Sequence, residues 1–216
     1  GREHILRQCD ASLKRLGVER IDVYYLHQPD PNTPVDETLD AMGSLVHAGK
    51  VRALGASNYA AWQVVRMLPA VSIVQPMYNL LARDLEREFL PMCLDAKLRV
   101  LAYNPLAGGL LTGKHRPDRP SGRFESAMYR NRYWVEPMFR AVAEYEAIAM
   151  AAGRTPVDLA LQWLRSRGVG ILLGASRLDH LRENLRALEG SLDEATLRAC
   201  DEVYARLAGP IPRYNR

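Results

Sequence analysis

No apolar run in the 216 residues approaches the roughly 18–20 residues that a membrane-spanning helix needs. No basic-then-apolar opening marks a secretory leader. Cysteine is scarce. Cys9, Cys93 and Cys200 are odd in number and far apart, so they form neither a disulfide framework nor a zinc-ligand spacing and point to a reducing, cytoplasmic setting. The G-x-G-x-x-G turn of a dinucleotide-binding open sheet is absent. "AGGLLTGK" misses the full P-loop pattern, because His115 follows Lys114 where Ser or Thr is required. No broad basic stripe exists, which leaves nucleic acid a poor partner despite the mixed Arg and aromatic run "YRNRYW". What is there is ordinary for a globular chain: 48% apolar, 25% charged, net charge +4. That length allows one large domain or two small ones, and the mild basic excess suits an anionic small ligand. The chain opens on Gly1 and turns helical at once, which reads as an interrupted beginning.

Short apolar runs alternate with helical periodicity. "HILRQCDASLKRLG" has Ile5, Cys9, Leu13 and Leu16 at helical spacing, with Gly17 as a stop. "IDVYYL", "VRALGAS", "VSIVQ", "RVLAY" and "VGILLG" read as strands. Thr33 and Pro34 read as N-cap and first residue of a helix burying Val35, Leu39, Met42 and Val46. "AAWQVVRML" is a helix ended by Pro69. "LEREFLPMCLDAK" is a helix with Leu85, Phe89, Met92 and Ala96 on one face, kinked or starting late at Pro91. From Asn104 to about Glu136 the pattern is irregular. Two helices follow, the second capped by Thr155 with Pro156 behind it. "RLDHLRENLRAL" would turn Leu178, Leu181, Leu185 and Leu188 inward, and "DEATLRACDEVYARL" closes the chain. Strands separated by helices imply parallel pairing with crossovers, and all-apolar strands imply burial on both faces.

The strand exits are polar: His27, then Ser57 and Asn58, Gln75, Tyr103 and Asn104, and Gly174 to Ser176. Each has a plain explanation taken singly. A histidine at a strand tip is often structural, Ser57 and Asn58 could cap a helix, and Gln75 could satisfy a loop. Five polar exits on adjacent parallel strands would converge on one mouth. This favours a (β/α)₈ barrel over an open doubly wound sheet. Ser176 precedes a helix with Asp179 at its capping-box position. A helix N-terminus offers free N–H groups to an anion, and Arg177 adds a charge. "NPLAGGLLTGK" is a flexible glycine-bearing loop ending in Lys114, suited to lie along a pyrophosphate or to be a plain surface loop.

Together "DVYYLHQPD", "GASNY", "VQPMYN", "LAYNPLAGGLLTGK", "GRF…YRNRYW" and "LLGASRLDHLRENL" resemble the aldo-keto reductase superfamily. The similarity is greatest to its aflatoxin-aldehyde and succinic-semialdehyde reductase branch, and less to potassium-channel β subunits. The resemblance runs in order from Gly1 to Arg216. It implies an α/β, TIM-type (β/α)₈ barrel of which this chain is the C-terminal two-thirds, with the last five strands. It implies NADPH as cofactor and reduction of a small-molecule aldehyde or ketone, with no nucleic-acid or membrane partner. A homo-oligomer is compatible with it.

The resemblance assigns His27 as catalytic, orienting the carbonyl. Ser57, Asn58 and Gln75 would hold the carboxamide, and Tyr103 would stack on the nicotinamide. Asn104, Pro105, Leu106, Ala107, Gly108, Gly109, Leu110, Leu111, Thr112, Gly113 and Lys114 would line the pyrophosphate. Arg123 and Arg132 would belong to the cofactor lid. Gly174, Ser176, His180, Glu183 and Asn184 would hold the 2′-phosphate and adenine. Tyr129 and Arg216 would reach the substrate. The family's catalytic Asp, Tyr and Lys precede the helix that opens this chain, and three of its strands go with them. Tyr25 shares a face with His27 but would lie ~6–7 Å deeper at ~3.3 Å per residue, so it reads as core filling. Two expectations follow: the C-terminal part of an intact reductase, or a catalytically dead NADPH-binding regulator with an open sheet edge. The first is favoured because every cofactor position expected in this region is filled.

Overall fold

The computed structural model describes residues 1–209. They form two compact units: Gly1–Pro76 with Leu85–Leu101, and Met77–Asp84 with the chain from Ala102 onward. Five strands run in the order β1 (Ile21–Leu26), β2 (Val51–Ser57), β3 (Val71–Gln75), β4 (Arg99–Ala102) and β5 (Gly170–Ile171). The registered pairs are parallel, as helical crossovers require. Among the described residues no helix is long and apolar enough to cross a membrane.

In the first unit, α1 (Arg2–Leu16) ends where Gly17 turns left-handed, its N–H donating to the Leu13 carbonyl at 2.9 Å. Cys9 from α1 joins Met42, Leu45, Val51, Leu54, Val64, Met67, Val71, Val74 and Cys93 in one core. Deleting the side chain of one such buried residue typically costs ~2–5 kcal/mol. β1 is half-buried with Asp22 facing out, rather than buried on both faces. Its described strand neighbour is β2 alone, so it lies at an edge. β2 carries a register shift between Leu54 and Gly55.

Helix α2 (Val35–His47) starts one residue later than the Thr33 cap predicts. Thr33 is diverted: its hydroxyl donates to Asp30 Oδ2 at 2.7 Å while the Asn32 N–H donates to Oδ1 at 2.9 Å. A local turn thus captures the capping group. Val46 is exposed, whereas Met42 and Leu45 carry the burial. The helix after β2 shrinks to α3 (Ala61–Val65). The proline-bearing helix starts late, as α4 (Phe89–Asp95), after a 3-10 turn at Asp84–Glu86.

The second unit gives shape to the stretch expected to be irregular. It holds 3-10 turns at Ala107–Thr112 and Gly122–Glu125 and a short helix, α5 (Ala127–Tyr133). Then come α6 (Glu136–Ala151) and α7 (Pro156–Ser166). Thr155 and Asp158 form the capping box of α7, at 3.1 and 3.0 Å. Helix α9 (Glu194–Ala208) is fastened by Tyr145 of α6, whose hydroxyl donates to the Cys200 carbonyl at 3.5 Å and to the Leu80 carbonyl at 3.0 Å.

Helix α8 (Leu178–Ala187) contradicts its leucine pattern. Leu178, Leu181 and Leu185 are exposed, while Asn184 and Ala187 are buried and His180 and Glu183 half-buried. The polar stripe faces in because the described residues pack on that side. Of the four leucines expected inward, Leu188 alone packs on the described core, beside Val157, Leu161 and Ala187. The cap is also corrected: Arg177, not Ser176, occupies it, and Asp179 pairs with Arg182 at 3.5 Å and Arg177 at 3.8 Å. β5 is two residues long rather than the expected six, although the Leu172 N–H still donates to the Ala102 carbonyl at 2.8 Å.

Candidate active site

Three strand exits of the first unit are sewn together. Asn58, held at φ 64°, donates from Nδ2 to the His27 carbonyl at 2.8 Å and to Ser57 Oγ at 3.1 Å. Ser57, nearly fully buried, donates to the Gln75 carbonyl at 2.7 Å. The ends of β1, β2 and β3 are therefore locked in register by side chains, and the His27 imidazole stays exposed beyond them. The expected convergence of polar exits holds for these three strands. Helix capping does not explain Ser57 and Asn58, because the helix behind them is capped at Ala60, whose N–H donates to Gln63 Oε1 at 2.8 Å. Tyr25 is bonded to the Gln75 side chain, and burial raises its phenol above the ordinary tyrosine value. This fits core filling.

In the second unit Tyr103 leaves β4 half-buried and bridges to Met77. Burial raises its phenol, against the opposing pull of Arg132; Tyr129 adds to the rise. Asn104 follows at φ 60° and accepts the Gly108 N–H on Oδ1 at 2.6 Å. The loop to Lys114 is more ordered than the flexible glycine-bearing loop predicted. The N–H groups of Ala107, Gly108, Gly109, Leu111 and Gly113 are spent on the loop itself. Pro105, Ala107, Leu110 and Leu111 are buried as anchors. Gly108 (φ 70°) is required because a Cβ there would lie 2.8 Å from the Tyr129 ring. The loop is thus a self-bonded ledge whose outer face holds Gly109, Thr112 and the exposed Lys114, with Leu106 half-buried.

Arg123 connects two expected site elements. Its guanidinium lies 3.5 Å from where a Cβ of Gly174 would stand and 5.8 Å from the Tyr129 ring centroid. Ser176 and Arg177 are exposed, and the charge of Arg177 is shared with Asp179. His180, Glu183 and Asn184 lie together on the inward face of α8. Arg216 lies outside the described residues.

Sequence reasoning missed several residues. Asn79 is fully buried, and its Nδ2 donates to the Asn104 carbonyl at 3.0 Å and to the Tyr133 hydroxyl at 3.2 Å. His115 is buried against Phe124 (4.8 Å between centroids) and Trp134 (5.9 Å). Burial, helped by Lys114, holds its imidazole below the ordinary histidine value. Arg83, 5% exposed, pairs with Asp201 at 2.8 Å beneath Trp163 and Tyr204. An asparagine, a histidine and an arginine carry no burial signal in composition. For Asn79, the buried aromatic before it was the available hint.

Comparison with known proteins places these motifs. The sequence model of the Aldo/keto reductase family matches residues 1–205. Aflatoxin B1 aldehyde reductase member 2 of Mus musculus is 40% identical across 99% of this chain and 66% of its own length. A probable voltage-gated potassium channel subunit beta of Arabidopsis thaliana is 34% identical across 87% of the chain and 62% of its own. The solved glycerol dehydrogenase of Gluconobacter oxydans superposes with a TM-score of 0.85 at 31% identity, over all of this chain and 68% of that one. The fold class is accordingly α/β of the TIM type, with five strands among the described residues. The chain spans just under two-thirds of the length of the mouse relative.

Proposed function

From membership of the aldo/keto reductase family, to which the chain belongs, we propose that it carries the carbonyl-holding and cofactor-holding parts of an NADPH-dependent aldehyde or ketone reductase. The observation that carries this reading is the sewn exit of β1 to β3, which fixes the His27 backbone and presents its imidazole. His27 would donate a hydrogen bond to the substrate oxygen as it gains negative charge. Preorganised donors of this kind act on the transition state more than on the ground state. Ser57, Asn58 and Gln75 would present the carboxamide partner atoms, with the Ser57 and Asn58 side chains already held at 2.7–3.1 Å from their neighbours.

In the second unit, Tyr103 would supply the stacking face. The Asn104–Lys114 ledge would support the pyrophosphate, with Lys114, Arg123 and Arg132 as cations. Gly174, Ser176, Arg177, His180, Glu183 and Asn184 would take the 2′-phosphate and adenine. The donor set fits an anionic, planar cofactor: cations, an aromatic face and a rigid ledge lie within one unit. NADPH, when bound, supplies the hydride. Tyr25 would serve as core filling rather than as the proton donor, its ring packed over Gly55.

The mouse reductase is more similar than the plant channel subunit, 40% against 34% identity, which favours the reductase reading over a regulatory one. Tyr129 and Arg216 would suit an aldehyde bearing a carboxylate, with Arg216→Ala raising KM for carboxylated aldehydes more than for neutral ones. Loss of nicotinamide absorbance with small aldehydes tests the function. We expect turnover in a form of the relatives' full length and none from the 216 residues alone. Normal turnover by the 216 residues, or no aldehyde-dependent turnover in the longer form, would overturn it.

A further inference from the structure

Tyr133 closes α5 and is 1% exposed. Its hydroxyl accepts from Asn104 Nδ2 at 2.9 Å and Asn79 Nδ2 at 3.2 Å, and it donates to Met77 Sδ at 3.1 Å. The phenol oxygen is thereby saturated in a buried place, where each bond counts for more than in water. Asn104 passes the restraint on, because its Oδ1 takes the Gly108 N–H at 2.6 Å. One turn earlier on the same helix, the Tyr129 ring fills the space beside Gly108. α5 therefore grips the ledge twice, by a hydroxyl at its start and by a ring at Gly108. Arg132 sits on α5 between these two grips and is felt by Tyr103.

We propose that Tyr133 is a positioning residue: through Asn104 it holds the Asn104–Lys114 ledge in one shape and joins it to α5, so that ledge and Arg132 meet an anionic ligand as one body. This rests on reading the ledge as a cofactor support. A preformed ledge would spare the ordering that a mobile loop must undergo on binding. A tyrosine that merely filled the core would contribute to stability and nothing else.

Tyr133→Phe removes the oxygen alone. Hydrogen exchange at the Gly108–Gly113 amides, NADPH affinity by fluorescence titration and the thermal midpoint are measured on the same protein. We expect exchange at these amides about tenfold faster and NADPH Kd about tenfold higher, the scale of one net hydrogen bond. The midpoint should fall by a few degrees. Asn104→Ala should reproduce both changes, and the double variant should be no worse than the worse single one, as expected of residues in one chain of bonds. Unchanged exchange in both single variants overturns the proposal, as does exchange that quickens with no loss of affinity. If the unaltered chain binds no NADPH, the cofactor reading fails, and the exchange rates alone decide whether Tyr133 holds the ledge. Should Tyr133→Phe not fold, Asn104→Ala carries the same test.

Discussion

The ring of Tyr25 stands where a side chain at position 55 would need to be: a Cβ on Gly55 would lie 2.4 Å from it. This is where β2 shifts register, between Leu54 and Gly55. Gly55→Ala should therefore destabilise the chain by ~1–3 kcal/mol through overpacking. Urea unfolding measures it. The same substitution in a Tyr25→Ala background should add little, because the obstruction is gone. An equal penalty in both backgrounds would place the cause in the backbone instead.

His115 makes stability depend on acid pH. Its folded value lies below the ordinary 6.5 because burial, then Lys114, disfavour the charged form. A base lowered by folding contributes stability that is present above its unfolded value and is lost as pH falls through the folded one. The thermal midpoint should decline as pH drops below about 6.5. His115→Phe keeps an aromatic ring against Phe124 and Trp134 and should flatten that decline. An unchanged slope in the variant would acquit His115.

Alkaline pH should act through buried thiols and a phenol. Burial pushes Cys93 up to about 11 and Cys200 and Tyr133 up to about 12. Groups raised by folding contribute stability that is full below their unfolded values, 9.0 for the thiols and 10.0 for the phenol. It is lost as pH rises through 11 and 12. Unfolding midpoints should be level up to about pH 9 and then fall. Cys93→Ala should make the fall shallower, since Cys200 keeps the same onset, and a curve level through pH 11 would refute the assignment.

Arg83 is clamped between rings, 4.7 Å from the centroids of both Trp163 and Tyr204, and pairs with Asp201 at 2.8 Å. Asp201 also takes Arg167 at 2.6 Å. Arg83→Ala should cost ~1–3 kcal/mol, chiefly through lost packing between the two rings, since Asp201 is half-exposed and keeps Arg167. Arg83→Met should cost markedly less, because it refills the space and leaves Asp201 with Arg167. Equal losses in urea unfolding would assign the whole effect to charge.

The sequence made legible those elements whose signal is local. Gly17 stops α1, Thr155 and Asp158 cap α7, and the strands from Val51, Val71 and Arg99 start where apolar runs begin. It misled where two local signals compete or where burial depends on what lies opposite. Thr33 could cap a helix or bond Asp30, and the turn won. The leucines of α8 mark an apolar stripe, but which stripe is covered depends on neighbours, and here it is His180, Glu183 and Asn184 that turn inward. The site was legible as a set of polar strand exits. The network of Asn79, Asn104 and Tyr133 was not, because it joins residues 25 to 54 positions apart and no spacing rule reaches that far.

On the proposed reading, this chain holds a nicotinamide cofactor. Titrating the 216-residue chain with NADPH, while following nicotinamide and tryptophan fluorescence, tests it most directly. We expect saturable binding that is weakened when Arg123 and Arg132 are both replaced by Met. A linear response with no saturation in a folded chain would contradict it.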